Sequence, residues 1–239
     1  NHLSVSERIT LASQAINSKQ APDLSMVYFE EPDHTGHAFG PQDVNTKNAI
    51  RNMDGMLQDL WDNVQNGPRK DSVNLIVVSD HGMTMVTPER KIECRKYLKP
   101  YWFDRIEGNL PAQIYCKKQY IDSVYNALKD IPHQRVWRRN EIPAYLHYDS
   151  NKNIGDVVVS PDEGWLVYDQ EVTTGGMHGY DPEYSDMHAI FRAMGPDFKK
   201  TEIPHFRNVD IYDLMCHLLN ITPAKNDGNL EEIKSILKN

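Results

Sequence analysis

Residues 73–83 read VNLIVVSDHGM. A short apolar, β-branched run without polar alternation is the pattern of a strand covered on both faces, as in a parallel sheet. It leads straight into Asp80 and His81. Open α/β sheets bind ligands just outside the carboxyl ends of their strands, so this is where chemistry is expected. Upstream, LSMVYF (24–29) is a second run of strand length, and it too ends in Asp and His, in EEPDHTGHAFGP (30–41). Between the two, residues 44–64 place Ile50, Met53, Leu57, Leu60, Trp61 and Val64 at helical spacing, with Asp43 as a plausible N-cap. Residues 5–17 repeat the helical pattern with Ile9, Leu11, Ala12 and Ile16.

This order predicts an α/β fold, a doubly wound and mostly parallel sheet flanked by helices. The middle departs from it. AQIYC (112–116), a helix near 118–129, RVW (135–137) and DVVVS (156–160) predict a small α+β insertion over about 105–165, within a single domain spanning 1–239. An amphipathic helix is expected over 208–221 and a shorter one over 229–237, the latter with a solvated acidic face.

A chain of 239 residues is long enough to bury a continuous core. Its net charge of −8 opposes a duplex nucleic-acid binder that relies on a broad basic field. It leaves room for a small phosphorylated ligand whose charge a metal would meet locally. No apolar run reaches the ~18–20 residues that cross a bilayer. Cys94, Cys116 and Cys216 form no C-x-x-C pair; they read as free thiols, or as one Cys94–Cys116 disulfide in an oxidising compartment.

Asp33 and His37 make D-x-x-x-H. On a helix that spacing puts both on one face; Gly36, Gly40 and Pro41 allow a loop instead. Taken alone, the pair is either a metal site or a solvated acidic loop. Asp80 could merely cap a helix, and His81 could be a loop histidine. Yet aspartate and imidazole are good zinc ligands, and two strands each end in such a pair. A third element, TTGGMHGYD (173–181), sets His178 among glycines, where backbone can approach a ligand closely.

FEEPDHTGHAFGP, VVSDHGM and GMHGYDPEYSDMHAIFRAMGPDFK together resemble the nucleotide pyrophosphatase/phosphodiesterase family of the alkaline phosphatase superfamily. The likeness continues through EIPAYLHY, IGDVVV and VDIYDLMCHLLNITPAKNDG, in the family's order. The resemblance implies an alkaline-phosphatase-like fold and a two-zinc site. Asp33, His37 and His178 would bind one ion, and Asp80 and His81 would contribute to the second. It implies a phosphodiesterase or nucleotide pyrophosphatase acting on a small phosphodiester or nucleotide, in a periplasmic or extracellular setting. It also implies a threonine nucleophile and a further Asp ligand upstream of EEPD. Thr35, Thr84, Thr173 and Thr174 lie near the motifs without the nucleophile's surroundings. The chain is therefore expected to be the C-terminal part of a catalytic domain. It would lack its N-terminal strand or strands, with the missing part of the same protein as partner, its second zinc site incomplete, and the fragment itself inactive.

Two readings compete: a phosphomonoesterase or sulfate-ester hydrolase of the same superfamily, or a non-catalytic metal- or phosphate-binding module. Glu30 and Glu31 read as loop acids or as partners orienting the site. His34 is expected to face solvent, His133 and His147 to lie on the surface, and His188, His205 and His217 to be structural.

Overall fold

The computed structural model describes residues 3–148, 151–168 and 171–238. In chain order its regular elements are α1 (Val5–Ile16), α2 (Asp33–Phe39), α3 (Val44–Gln65), β1 (Leu75–Val78), β2 (Thr84–Val86), β3 (Lys91–Ile92), β4 (Phe103–Glu107), β5 (Ala112–Cys116), α4 (Ile121–Leu128), β6 (Gln134–Arg138), β7 (Val157–Pro161), β8 (Leu166–Val167), β9 (Gly175–Met177), β10 (Phe191–Met194) and α5 (Asp210–Leu218). The chain forms two compact units. One comprises residues 1–29, 52–78 and 191–239, and the other residues 30–51 and 79–190.

In the first unit, β1 explains its own sequence. Leu75 packs with Ile9, Ala12 and Leu60 of the flanking helices, whereas the next residue, Ile76, packs with Phe198, Leu214 and Ile233. Alternate side chains of a strand point to opposite faces, so both faces are apolar and the run reads continuously. Its partner is β10, antiparallel, with Leu75 opposite Met194 and Val78 opposite Phe191. An antiparallel strand at the margin of a sheet is common in α/β folds. The described ladders of this chain are otherwise antiparallel too, apart from β3 with β8.

Two expectations fail here. LSMVYF forms no strand: residues 24–29 have no ladder partner among the described residues. Met26 is 83% and Tyr28 70% exposed. An apolar run becomes a strand only when another strand meets its backbone groups, and sequence does not reveal whether one does. Residues 229–237 are not an α-helix but two 3-10 turns, Leu230–Glu232 and Lys234–Ile236. Leu230, Ile233 and Ile236 recur every third residue, which is the 3-10 period. Ile233 is fully buried, with Ile236 and Leu237 beside it, so the segment closes a core and does not simply present an acidic face to solvent.

The second unit contains an antiparallel sheet of order β4-β5-β7-β6. β7 is an interior strand. Val157 and Val159 face α4, where Val124 and Leu128 sit one turn apart, while Val158 packs on the other face with Ile142 and Ile154. Three consecutive valines fit a strand covered on both sides. Cys94 and Cys216 are buried and Cys116 is half-buried, all as free thiols. Burial first, then the carboxylates of Asp156 and Asp104, push the Cys116 thiol up to about 12, so it stays protonated and inert.

Asp43 caps α3 as expected, its carboxylate accepting the Asn45 amide at 2.8 Å. Leu214 is fully buried in the cluster of Phe198, Ile233, Ile236 and Leu237. Leu214→Ala should therefore cost about 2–5 kcal/mol. Urea unfolding should show this as a lowered midpoint, and an unchanged midpoint would contradict the packing.

Candidate metal centre

The D-x-x-x-H pair lies on a helix, α2, and its two members are one turn apart on one face. Glu31 secures the start of that helix, its carboxylate accepting the Thr35 amide at 3.2 Å. Glu31 thus orients the element that bears the ligands. Strand β9 runs against α2 at unusually short range. A Cβ on Gly176 would stand 2.5 Å from the Gly36 carbonyl and inside the Met83 sulfur, and one on Gly175 would overlap the His37 carbonyl. Only glycine fits at these two positions. The approach brings the Gly176 carbonyl to 2.8 Å from His37 Nδ1.

That contact fixes the tautomer. A carbonyl only accepts, so Nδ1 carries the proton and the neutral ring turns its Nε2 lone pair inward. His81 follows the same rule, with Nδ1 at 2.8 Å from the Gly82 carbonyl. Its segment is pinned through Ser79. The Ser79 amide donates to the Ile190 carbonyl, the Ser79 hydroxyl takes the Ile190 amide, and the Gly82 amide donates to the Met187 carbonyl.

The structure gathers His37, His81 and His178 around Asp33 Oδ1, with Asp80 beside His81. His37 Nε2 lies 3.3 Å from Asp33 Oδ1, His178 Nε2 3.7 Å and His81 Nε2 4.0 Å. His37 and His178 present their Nε2 atoms to each other at 3.2 Å. Asp80 sits at the margin, 74% exposed, with Oδ1 at 3.4 Å from His81 Nε2. The rings of His81 and His178 stack, with centroids 3.4 Å apart and planes within 9°. Burial first, and then His81 beside it, push the His178 imidazole below its ordinary range, against the opposing carboxylates of Asp33 and Asp80.

Zinc fits this arrangement. With bonds of about 2.0–2.1 Å, neighbouring ligands on a tetrahedral ion stand roughly 3.4 Å apart. The Asp33–His37–His178 triangle has edges of 3.3, 3.2 and 3.7 Å. Asp33 Oδ1 is shielded from water and makes no hydrogen bond with good geometry. Such an oxygen is costly to leave unmet unless a cation or proton comes to it. Asp33, His81 and His178 also qualify as a three-ligand group, so two triangles share the Asp33–His178 edge.

The glycine spacing in TTGG was the only sequence trace of the Gly176 carbonyl, because a backbone acceptor has no residue type of its own. Asp181, buried just past His178, carries no sequence signal of its own. His133 stacks on Trp165 away from the cluster. His34 is exposed, as expected, and is not among the described ion-pair partners of Asp33 Oδ1.

A family profile described as type I phosphodiesterase / nucleotide pyrophosphatase matches residues 2–181. Human ectonucleotide pyrophosphatase/phosphodiesterase family member 5 is 34% identical over 239 residues, covering 98% of this chain and 50% of that protein. The solved murine ectonucleotide pyrophosphatase/phosphodiesterase 5 superposes with a TM-score of 0.92 at 34% identity, over 99% of this chain and 64% of that one. An inactive variant of the murine protein in complex with AMP gives 0.91. The α/β fold is thus shared, and the chain spans about half the length of the curated relatives it matches.

In the metal-free chain at about pH 8, above the ordinary imidazole range, ring nitrogen NMR should place the proton of His37 and His81 on Nδ1. The His178 ring should titrate below ordinary histidines. A proton on Nε2 of His37 would refute the lone-pair geometry.

Proposed function

The chain belongs to the type I phosphodiesterase / nucleotide pyrophosphatase family, and from that membership we propose that it is part of a metal-dependent hydrolase of phosphodiester or phosphoanhydride bonds. Asp33, His37 and His178 hold one zinc ion, and Asp80 and His81 contribute to a second. The observation that carries this reading is the shielded, unmet Asp33 Oδ1 facing the His37 lone pair at 3.3 Å. A bound zinc supplies Lewis acidity, drawing electron density from the phosphoryl oxygens.

The chain's own residues prepare for that charge. The Gly176 and Gly82 carbonyls hold two imidazoles in the ligating tautomer. Asp33 and Asp80 bring negative charge that offsets the cations before an anionic substrate arrives. Among the described residues, the ion-pair partners of Asp33 and Asp80 are histidines. A monoesterase adds a cationic group for the extra phosphate charge; its lack of a counterpart among these pairs supports the diester reading over a phosphomonoesterase or sulfate-ester hydrolase.

The substrate is a small nucleotide or phosphodiester, a reading supported by the relative solved with AMP. The nucleophile is a threonine supplied by a part of the whole protein outside residues 1–239. Thr84, the threonine nearest His81 in sequence, is buried in β2. Residues 1–239 belong to one catalytic domain in which about 105–165 form the α+β insertion. The location is extracellular or periplasmic, as the relatives' designation as ectonucleotide enzymes supports. Among the described residues, no helix is long and apolar enough to cross a membrane.

Zinc titrated into the 239-residue chain should show one tighter and one weaker site. His37→Ala and His178→Ala should each weaken the tight site by more than about 100-fold, beyond what loss of an outer-shell partner does. Two equal, tight sites would sink the assignment. The full-length protein should turn over a nitrophenyl phosphodiester faster than nitrophenyl phosphate. The reverse preference would favour the monoesterase, and no turnover of either would favour a non-catalytic binding module.

A further inference from the structure

Asp181 lies three residues beyond His178, yet it takes no part in the metal cluster. Its side chain is only 3% exposed. One carboxylate oxygen accepts the Glu183 amide at 3.0 Å. The other meets Arg135 Nη1 at 2.9 Å and accepts a very short hydrogen bond from the Tyr145 hydroxyl. Burial pushes this carboxyl up, but the tyrosine hydroxyl, the Glu183 amide and Arg135 outweigh it and hold the group below its usual range. The carboxylate therefore stays ionised inside the protein, with each of its oxygens engaged.

A buried ion pair is weak support for stability, because desolvation opposes it, and it is better suited to fixing one geometry. The geometry here is that of the His178 loop. Upstream, β9 is held by its ladder to β2, where Met177 stands opposite Thr84. Downstream, Gly179 takes a φ of 99°, open mainly to glycine, and Tyr180 is buried with Val86, Leu166 and Met187. Asp181 then ends the loop in its three-way anchor. His178 is thus strung between two fixed points four positions apart in sequence, Met177 and Asp181.

We infer that Asp181, together with Tyr145 and Arg135, is a positioning unit that holds His178 at ligating distance from Asp33 and His37. Arg135 belongs to β6, and Tyr145 to the 3-10 turn Ala144–Leu146. The α+β region therefore acts on the metal centre without touching the ion. The inference rests on the zinc reading above for its functional meaning, and its structural part is measured without metal.

Two measurements on the 239-residue chain test it. In the metal-free protein, hydrogen exchange at residues 177–181 should quicken about 10-fold or more in Tyr145→Phe and Asp181→Asn, with exchange in β5 and β7 unchanged. Zinc competition against a chromophoric chelator should then show affinity lowered by about 10-fold in the same variants, and the visible spectrum of bound cobalt(II) should change. Arg135→Lys, which keeps the charge, should recover part of the affinity that Arg135→Ala loses. Tyr145 is 44% exposed and its loss removes one hydroxyl, so Tyr145→Phe carries the test even if Asp181→Asn does not fold. Unchanged loop exchange in Tyr145→Phe would overturn the anchor. Lowered thermal stability with wild-type zinc affinity would reduce Asp181 to a structural ion pair and also overturn the inference. Failure of the unmodified chain to bind zinc would strike the metal reading, with the exchange data still deciding the anchor.

Discussion

The contact between α2 and β9 governs the rest of the site. The His37 Nδ1–H donates a hydrogen bond to the Gly176 carbonyl, and the bond exists only because two glycines let a strand lie against a helix at backbone range. A side chain at either glycine would lift β9 away and release the imidazole to turn. With the bond in place, one ring nitrogen is committed and the other is left facing Asp33 and His178. The arrangement of ligand atoms follows from main-chain packing more than from any attraction among the ligands, which are all acceptors in their ligating form.

A preorganised set of mutually facing acceptors is unfavourable by itself, and folding energy elsewhere must hold it. The core of Val86, Leu166, Val172, Tyr180 and Met187 does so behind β2 and β9. The Ser79 and Gly82 hydrogen bonds hold the second arm. The stacked His81 and His178 rings share this confinement, since protonating both would set two positive charges face to face. The depressed basicity of His178 follows from burial and from that neighbour together.

Much of this was legible in the sequence because it depends on residue type and spacing. Asp33 and His37 four apart, Asp80 and His81 after an apolar run, and His178 among glycines marked the cluster, although spacing alone left helix and loop equally open for the first pair. The strands at 112–116 and 156–160 followed from their alternating or continuous apolar residues. What was not legible depends on partners. LSMVYF has the composition of a strand but no described ladder, and β1 gave no sign that its neighbour runs antiparallel. Residues 229–237 carry a threefold apolar spacing that a helical reading absorbs too easily. Asp181 stood in plain view within TTGGMHGYD, but an aspartate in a loop has no signature until Arg135 and Tyr145 meet it.

The two ends of the His37–Gly176 hydrogen bond are 139 residues apart in the chain. Closing a flexible loop of that length costs about 4 kcal/mol of chain entropy, a debt that one hydrogen bond of about 1 kcal/mol does not cover. The bond therefore forms only after the intervening segments have folded and brought its ends together by other contacts. The centre is a product of the whole unit's folding, with no local nucleus of its own. Its geometry should persist or vanish with the surrounding unit as a whole, so that the ring tautomer of a single histidine reports on the integrity of well over a hundred residues.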